Sequence, residues 1–107
     1  YNGHALRAGM VVSNEPGFYK DDAYGMRCEN LVVVREAEGS HEDGPPMFQF
    51  EALTAVPFDI RLINADLLTS EEIAWVNDYH AWVRQVQLPH LDEQDSAWLK
   101  QATRAIN

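Results

Sequence analysis

A single cysteine, Cys28, is the only thiol in the 107-residue chain. No internal disulfide can therefore brace the fold, and the composition fits a reducing compartment, so the expected location is cytoplasmic. Basic residues are also scarce: eight Lys and Arg face 17 Asp and Glu, for a net charge of −9. That balance argues against nucleic acid and anionic membrane surfaces as partners, because both require basic patches. No run approaches the ~20 apolar residues of a membrane-spanning helix, and no internal repeat or low-complexity tract occurs. Apolar residues are plentiful at 46%, with three tryptophans, which excludes a disordered chain. The length allows one domain, or a subdomain with an incomplete core.

The chemistry-bearing stretch is Ser13–Val34, S-N-E-P-G-F-Y-K-D-D-A-Y-G-M-R-C-E-N-L-V-V-V. Met10–Ser13 and Met26–Val34 are rich in apolar and β-branched residues, and Pro16, Gly17, Asp21, Asp22 and Gly25 between them are turn formers. The pattern predicts two antiparallel strands joined by a long loop. Alternation along the second strand puts Arg27, Glu29, Leu31 and Val33 on one face, with Cys28, Asn30 and Val32 on the other. Glu15 ends the first strand, where Pro16 biases it towards an extended conformation and Gly17 permits the turn.

Two glutamates delivered to one place repel each other unless a cation or a proton lies between them. Their oxygens suit hard or borderline divalent ions such as manganese, magnesium or zinc. On spacing alone, E-x13-E containing R-x-E equally describes a solvated hairpin with a surface ion pair. Cys28 reads as a small hydrophobe rather than a nucleophile. His41, Glu42 and Asp43 fall in the polar connection Arg35–Pro46 and read as an acidic loop rather than a metal cluster.

N-E-P-G-F-Y at Asn14–Tyr19 and R-C-E-N at Arg27–Asn30 resemble the last two motifs of the dinuclear-metal pita-bread peptidases (M24). F-E-A-L-T-A-V-P-F at Phe50–Phe58, with L-L-T-S-E-E-I-A-W-V-N-D-Y-H at Leu67–His80, resembles the C-terminal extension of long-form aminopeptidases P. The resemblance implies an α+β fold: the C-terminal part of a pita-bread (creatinase/aminopeptidase) domain, antiparallel strands followed by a two-helix extension. It implies that Glu15 ligates one of two metals, manganese in the complete site, that Glu29 bridges both, and that Arg27 and Tyr19 belong to the surrounding hydrogen-bond network. The implied reaction is metalloaminopeptidase hydrolysis of the bond between an N-terminal residue and a following proline, on peptide substrates. The family's other ligands, two aspartates and a histidine, come from upstream motifs absent here, and His4 occupies no ligand position. The chain begins at Tyr1 and enters the fold mid-way, so it reads as the C-terminal piece of a longer protein, inactive by itself. A metal-free pita-bread binding module, a dimerisation module and a prolidase-like dipeptidase are the alternative readings.

Residues 1–46 are assigned to the catalytic domain and 47–107 to the extension. Gly9 sets the turn into the first strand, Phe18 and Tyr24 are candidates for a substrate cleft, and Met47–Leu53 reads as an alternating strand whose Glu51 forms a structural salt bridge. A linker after Pro57 leads to the clearest helix start: Thr69 as N-cap, Glu72 closing a capping box, and Leu68 with Ile73 as a staple. Trp75, Tyr79, Trp82 and Val86 form one apolar stripe, and Ile73, Val76, His80 and Val83 a second. Pro89 stops this helix, and Asp92 caps another that carries Trp98, Leu99, Ala102 and Ile106. So much apolar face on so short a chain predicts packing on another subunit, and the resemblance implies a homodimer through the extension.

Overall fold

The computed structural model describes residues 3–39 and 44–107; the His41–Asp43 cluster considered above lies outside the described residues. The chain forms two compact units, Tyr1–Thr54 and Ala55–Asn107. The first is all β. Strands β1 (Val11–Asn14), β4 (Asn30–Glu36) and β5 (Phe48–Ala52) form an antiparallel sheet in the order β1-β4-β5, and β2 (Gly17–Lys20) pairs with β3 (Tyr24–Arg27) in a second, two-stranded sheet. The central strand β4 is buried at Asn30 and at Val32, Val33 and Val34, with Val34 fully inaccessible.

Two expectations are corrected. The segment between the predicted strands is not a long loop, because it folds back as the β2-β3 hairpin with a tip of only Asp21, Asp22 and Ala23. Asp22 takes the left-handed region at φ 54°, which aspartate tolerates better than most residues, and Ala23 N–H donates to the Lys20 carbonyl at 3.1 Å. Such three-residue turns suit twisted hairpins. Nor does one strand run from Met26 to Val34; it breaks at Cys28–Glu29, opposite a break in the partner at Glu15–Pro16.

Proline explains both breaks. Register is Asn14↔Asn30 at the end of the first ladder and Gly17↔Arg27 at the start of the second, so the count runs on unchanged and sets Glu15 against Glu29 and Pro16 against Cys28. Cys28 N–H donates to the Pro16 carbonyl at 3.0 Å, but Pro16 has no N–H to return. One missing donor divides a single long hairpin into two ladders.

The second unit begins with two 3-10 turns, Ile60–Leu62 and Ala65–Leu67, capped by the side chains of Asp59 and Asn64. Helix α1 spans Ser70–Gln87 with the expected capping box: Thr69 accepts from the Glu72 N–H at 3.2 Å and Glu72 accepts from the Thr69 N–H at 2.8 Å. A 3-10 turn containing Pro89 follows, and Asp92 caps α2, Glu93–Ala102. Ile106 falls beyond α2, in a non-helical tail. Val76, Tyr79, Val83, Ile60 and Leu99 form the apolar core.

Polar residues of α1 tie down the chain on either side of it. His80 Nε2 accepts from the Phe58 N–H at 3.1 Å, and Gln87, seven residues on, donates to the Ala55 carbonyl at 2.9 Å. Asn77 exchanges two 2.9 Å bonds with the Ile106 backbone, and Arg84, again seven residues on, donates to the Thr103 carbonyl. A seven-residue interval is two helical turns, so each pair shares one stripe.

His80 is fully buried. Because Nε2 is an acceptor, the neutral ring carries its proton on Nδ1, which is buried with no hydrogen-bond partner among the described residues. Burial, followed by the nearby Arg84 charge, lowers its pKa below the ordinary value. As pH falls through about 6.5, the unfolded imidazole protonates first. Stability should therefore decline on acidification, and thermal midpoints between pH 7.5 and 5 should fall less in His80→Gln than in the wild type. Thr69→Ala should cost about 1 kcal/mol in denaturant unfolding.

Candidate functional site

Alternation and register together build one face of the long hairpin. Ser13, Glu15, Gly17 and Tyr19 lie along one strand and Leu31, Glu29, Arg27 and Gly25 along the other, each residue opposite its counterpart. The backbone bonds seen at Met10–Val34 and Pro16–Cys28 mark the even-numbered positions as hydrogen-bonded pairs. Glu15 and Glu29 thus occupy a non-hydrogen-bonded pair, the closer kind, with Cα atoms typically ~4.5 Å apart. The four residues singled out from the sequence, Glu15, Tyr19, Arg27 and Glu29, all belong to this face. Phe18 and Tyr24, whose ring centroids are 6.0 Å apart, lie on the opposite one.

Arg27 spans the two carboxylates. Its Nη1 lies 3.3 Å from Glu15 Oε2 and its Nε 3.1 Å from Glu29 Oε2. All three side chains are between two-fifths and one-half exposed. Exposed ion pairs of this kind contribute about 0–1 kcal/mol to stability, so the arrangement matters for orientation far more than for folding. The other oxygen of Glu15, Oε1, accepts from Ser13 Oγ at 2.6 Å.

Tyr19 is placed by what its neighbours lack. A Cβ on Gly17 would fall 2.7 Å from the Tyr19 Oη, and one on Gly25 would fall 2.7 Å from its Cδ1. The ring therefore lies across two bare glycines, with its hydroxyl towards the Gly17–Arg27 pair. Gly17 and Gly25 read as turn formers in the sequence, yet both are strand residues making room for a ring. A glycine within a strand is a recognised sign of close approach, and that signal points to them. Ser13 likewise went unread, although S-x-E within a strand puts both side chains on one face.

Glu51 pairs with Arg35 at 2.6 Å, a salt bridge across β4 and β5 as expected. Two adjacent carboxylates against one guanidinium leave a negative site of hard oxygen donors, which fits a divalent cation. They form part of a donor set only: among the described residues no group of three or more His, Cys, Asp and Glu could hold a metal.

Residues 1–36 match the model of metallopeptidase family M24, and residues 46–106 that of the C-terminal region of peptidase M24. A probable Xaa-Pro aminopeptidase P from Arthroderma benhamiae is 47% identical over 104 residues, covering 94% of this chain and 15% of its own. One from Coprinopsis cinerea is also 47% identical, covering 99% of this chain and 18% of its own. Aminopeptidase P1 of Arabidopsis thaliana is 40% identical over 103 residues, covering 95% and 16% respectively. The crystal structure of X-prolyl aminopeptidase from Caenorhabditis elegans, described as a cytosolic enzyme with a di-nuclear active site, superposes with a TM-score of 0.81 at 35% identity. It covers 98% of this chain and 18% of that one. The chain thus spans less than a fifth of the length of these relatives. The chain therefore belongs to metallopeptidase family M24, its first 36 residues matching the family itself and residues 46–106 its C-terminal region.

Proposed function

We propose that this chain is the C-terminal part of an Xaa-Pro aminopeptidase, a dinuclear metallopeptidase that releases an N-terminal residue preceding proline. Residues 1–46 would supply the end of the catalytic domain and 47–107 its C-terminal extension. The observation that carries the reading is the Glu15–Glu29 pair, set side by side on one strand face and spanned by Arg27. The names of relatives at 40–47% identity support it.

In this reading Glu15 ligates one metal and Glu29 both, with manganese the expected ion. A pair of divalent ions supplies an acidified water and a polarised peptide carbonyl when bound. The remaining ligands would come from outside this chain, so residues 1–107 alone are inactive. Arg27 holds one oxygen of each carboxylate and so sets the directions of the oxygens left to coordinate. Its positive charge also offsets the repulsion between the two glutamates. Tyr19, laid across Gly17 and Gly25, presents a phenol beside them as a hydrogen-bond donor.

The extension is the expected homodimer surface. Trp75 and Trp98 are 51% and 63% exposed, and Trp75 stacks on Tyr79 at 5.4 Å, a rigid aromatic face of the kind interfaces favour. A cytoplasmic location is supported by the cytosolic description of the solved relative. The net charge of −9 supports peptides rather than nucleic acid or membrane as partners, and no described helix is long and apolar enough to cross a membrane.

The full-length protein should release the first residue of an Xaa-Pro-Xaa peptide when supplied with manganese; no release would overturn the reading. Glu29→Ala should abolish turnover and lower metal content at both sites, whereas Glu15→Ala should weaken mainly one. Metal analysis beside rate measurement checks this, and a Glu29→Ala protein with full metal content would remove the bridging role. Arg27→Ala should give a smaller loss of rate with the fold intact.

A further inference from the structure

The two carboxylates are not held alike. Among the described residues Glu29 has a single ionic contact, Arg27 Nε at 3.1 Å, whereas Glu15 is gripped at both oxygens, by Arg27 Nη1 at 3.3 Å and by Ser13 Oγ at 2.6 Å. The hydroxyl contact is the shorter by 0.7 Å and lies in the range of strong O–H···O⁻ bonds. Arg27 comes from the facing strand on a long side chain, whereas Ser13 sits two residues from Glu15 in the same strand and stands on the same face. Its side chain has one rotatable carbon–carbon bond, so its oxygen is placed almost wholly by the backbone. That backbone lies inside the β1-β4 ladder, between the hydrogen-bonding positions Val12 and Asn14, while Glu15 lies just beyond the ladder's end, where Pro16 interrupts the pairing. The serine thus carries the order of the sheet across the break to a carboxylate whose other hold is the longer contact with Arg27.

We infer that Ser13 is a positioning residue: its hydroxyl fixes the carboxylate plane of Glu15, selecting which oxygen lone pairs face the metal and leaving Arg27 free to reach Glu29. The inference rests on the proposal that Glu15 is a ligand. In this role Ser13 acts through Glu15, and its contribution to folding is small because the bond is exposed.

Loss of such a supporting contact typically weakens metal affinity by about 10–100-fold. In the full-length protein stripped of metal, isothermal titration with manganese alone should show two binding events. In Ser13→Ala one of them should weaken by about 10-fold while the other and the thermal midpoint stay unchanged. Ser13→Thr, which keeps the hydroxyl on a β-branched side chain suited to a strand, should restore wild-type affinity. Equal affinities in wild type and Ser13→Ala would overturn the inference, as would equal weakening of both events. A wild-type protein that takes up no manganese would overturn the peptidase reading itself, and the role of Ser13 with it.

Discussion

One missing hydrogen-bond donor shapes the β unit of this chain. Pro16 sits where an antiparallel ladder requires an N–H, so the long hairpin from Val11 to Glu36 loses its pairing at that point but keeps its register. Retained register holds Glu15 opposite Glu29 on one face. Lost pairing frees the strand segment that carries them from the sheet's own hydrogen bonds. In the proposed role as ligands, the two carboxylates would gain from both properties, being aimed by the backbone while it makes few demands on them.

The same face shows how little stabilisation such a site requires from its own contacts. Arg27, Glu15 and Glu29 are all roughly half exposed, where ion pairs contribute about 0–1 kcal/mol. Their arrangement therefore rests on strand geometry and on small neighbours. Gly17 and Gly25 leave the space in which the Tyr19 ring lies, and Ser13 places one oxygen of Glu15. Small residues here set directions that larger side chains would obstruct.

The helical unit is organised differently. Its apolar core is modest, and the order of the flanking segments comes from four polar residues of α1, taken in pairs seven apart, that bond backbone groups on either side. Buried backbone groups must find partners, and the irregular segments beside α1 obtain them from side chains. His80 is the most constrained of the four, because its acceptor role fixes the tautomer and leaves Nδ1 buried with no partner among the described residues.

Much of this was legible in one dimension. The capping box at Thr69 and Glu72, the cap at Asp92, the alternating strand Phe48–Ala52 and the Glu51 salt bridge all depend on residues close in sequence or on simple periodicity, and the structure contains each of them. The shared face of Arg27 and Glu29 followed from alternation alone. The β2-β3 hairpin did not, because its glycines and aspartates carry turn propensity that strand pairing overrides. The polar stripes of α1 were hidden for a related reason: a helical asparagine or glutamine has no local partner, and its role exists only once another segment arrives. Local propensity and periodicity thus determined the caps, the helices and the face shared by Arg27 and Glu29, while the resemblance of the motifs marked out the residues of the candidate site. Pairing across the chain decided which glutamate faces which, where the ladder breaks and what holds Glu15, because register is a relation between two segments that neither encodes alone.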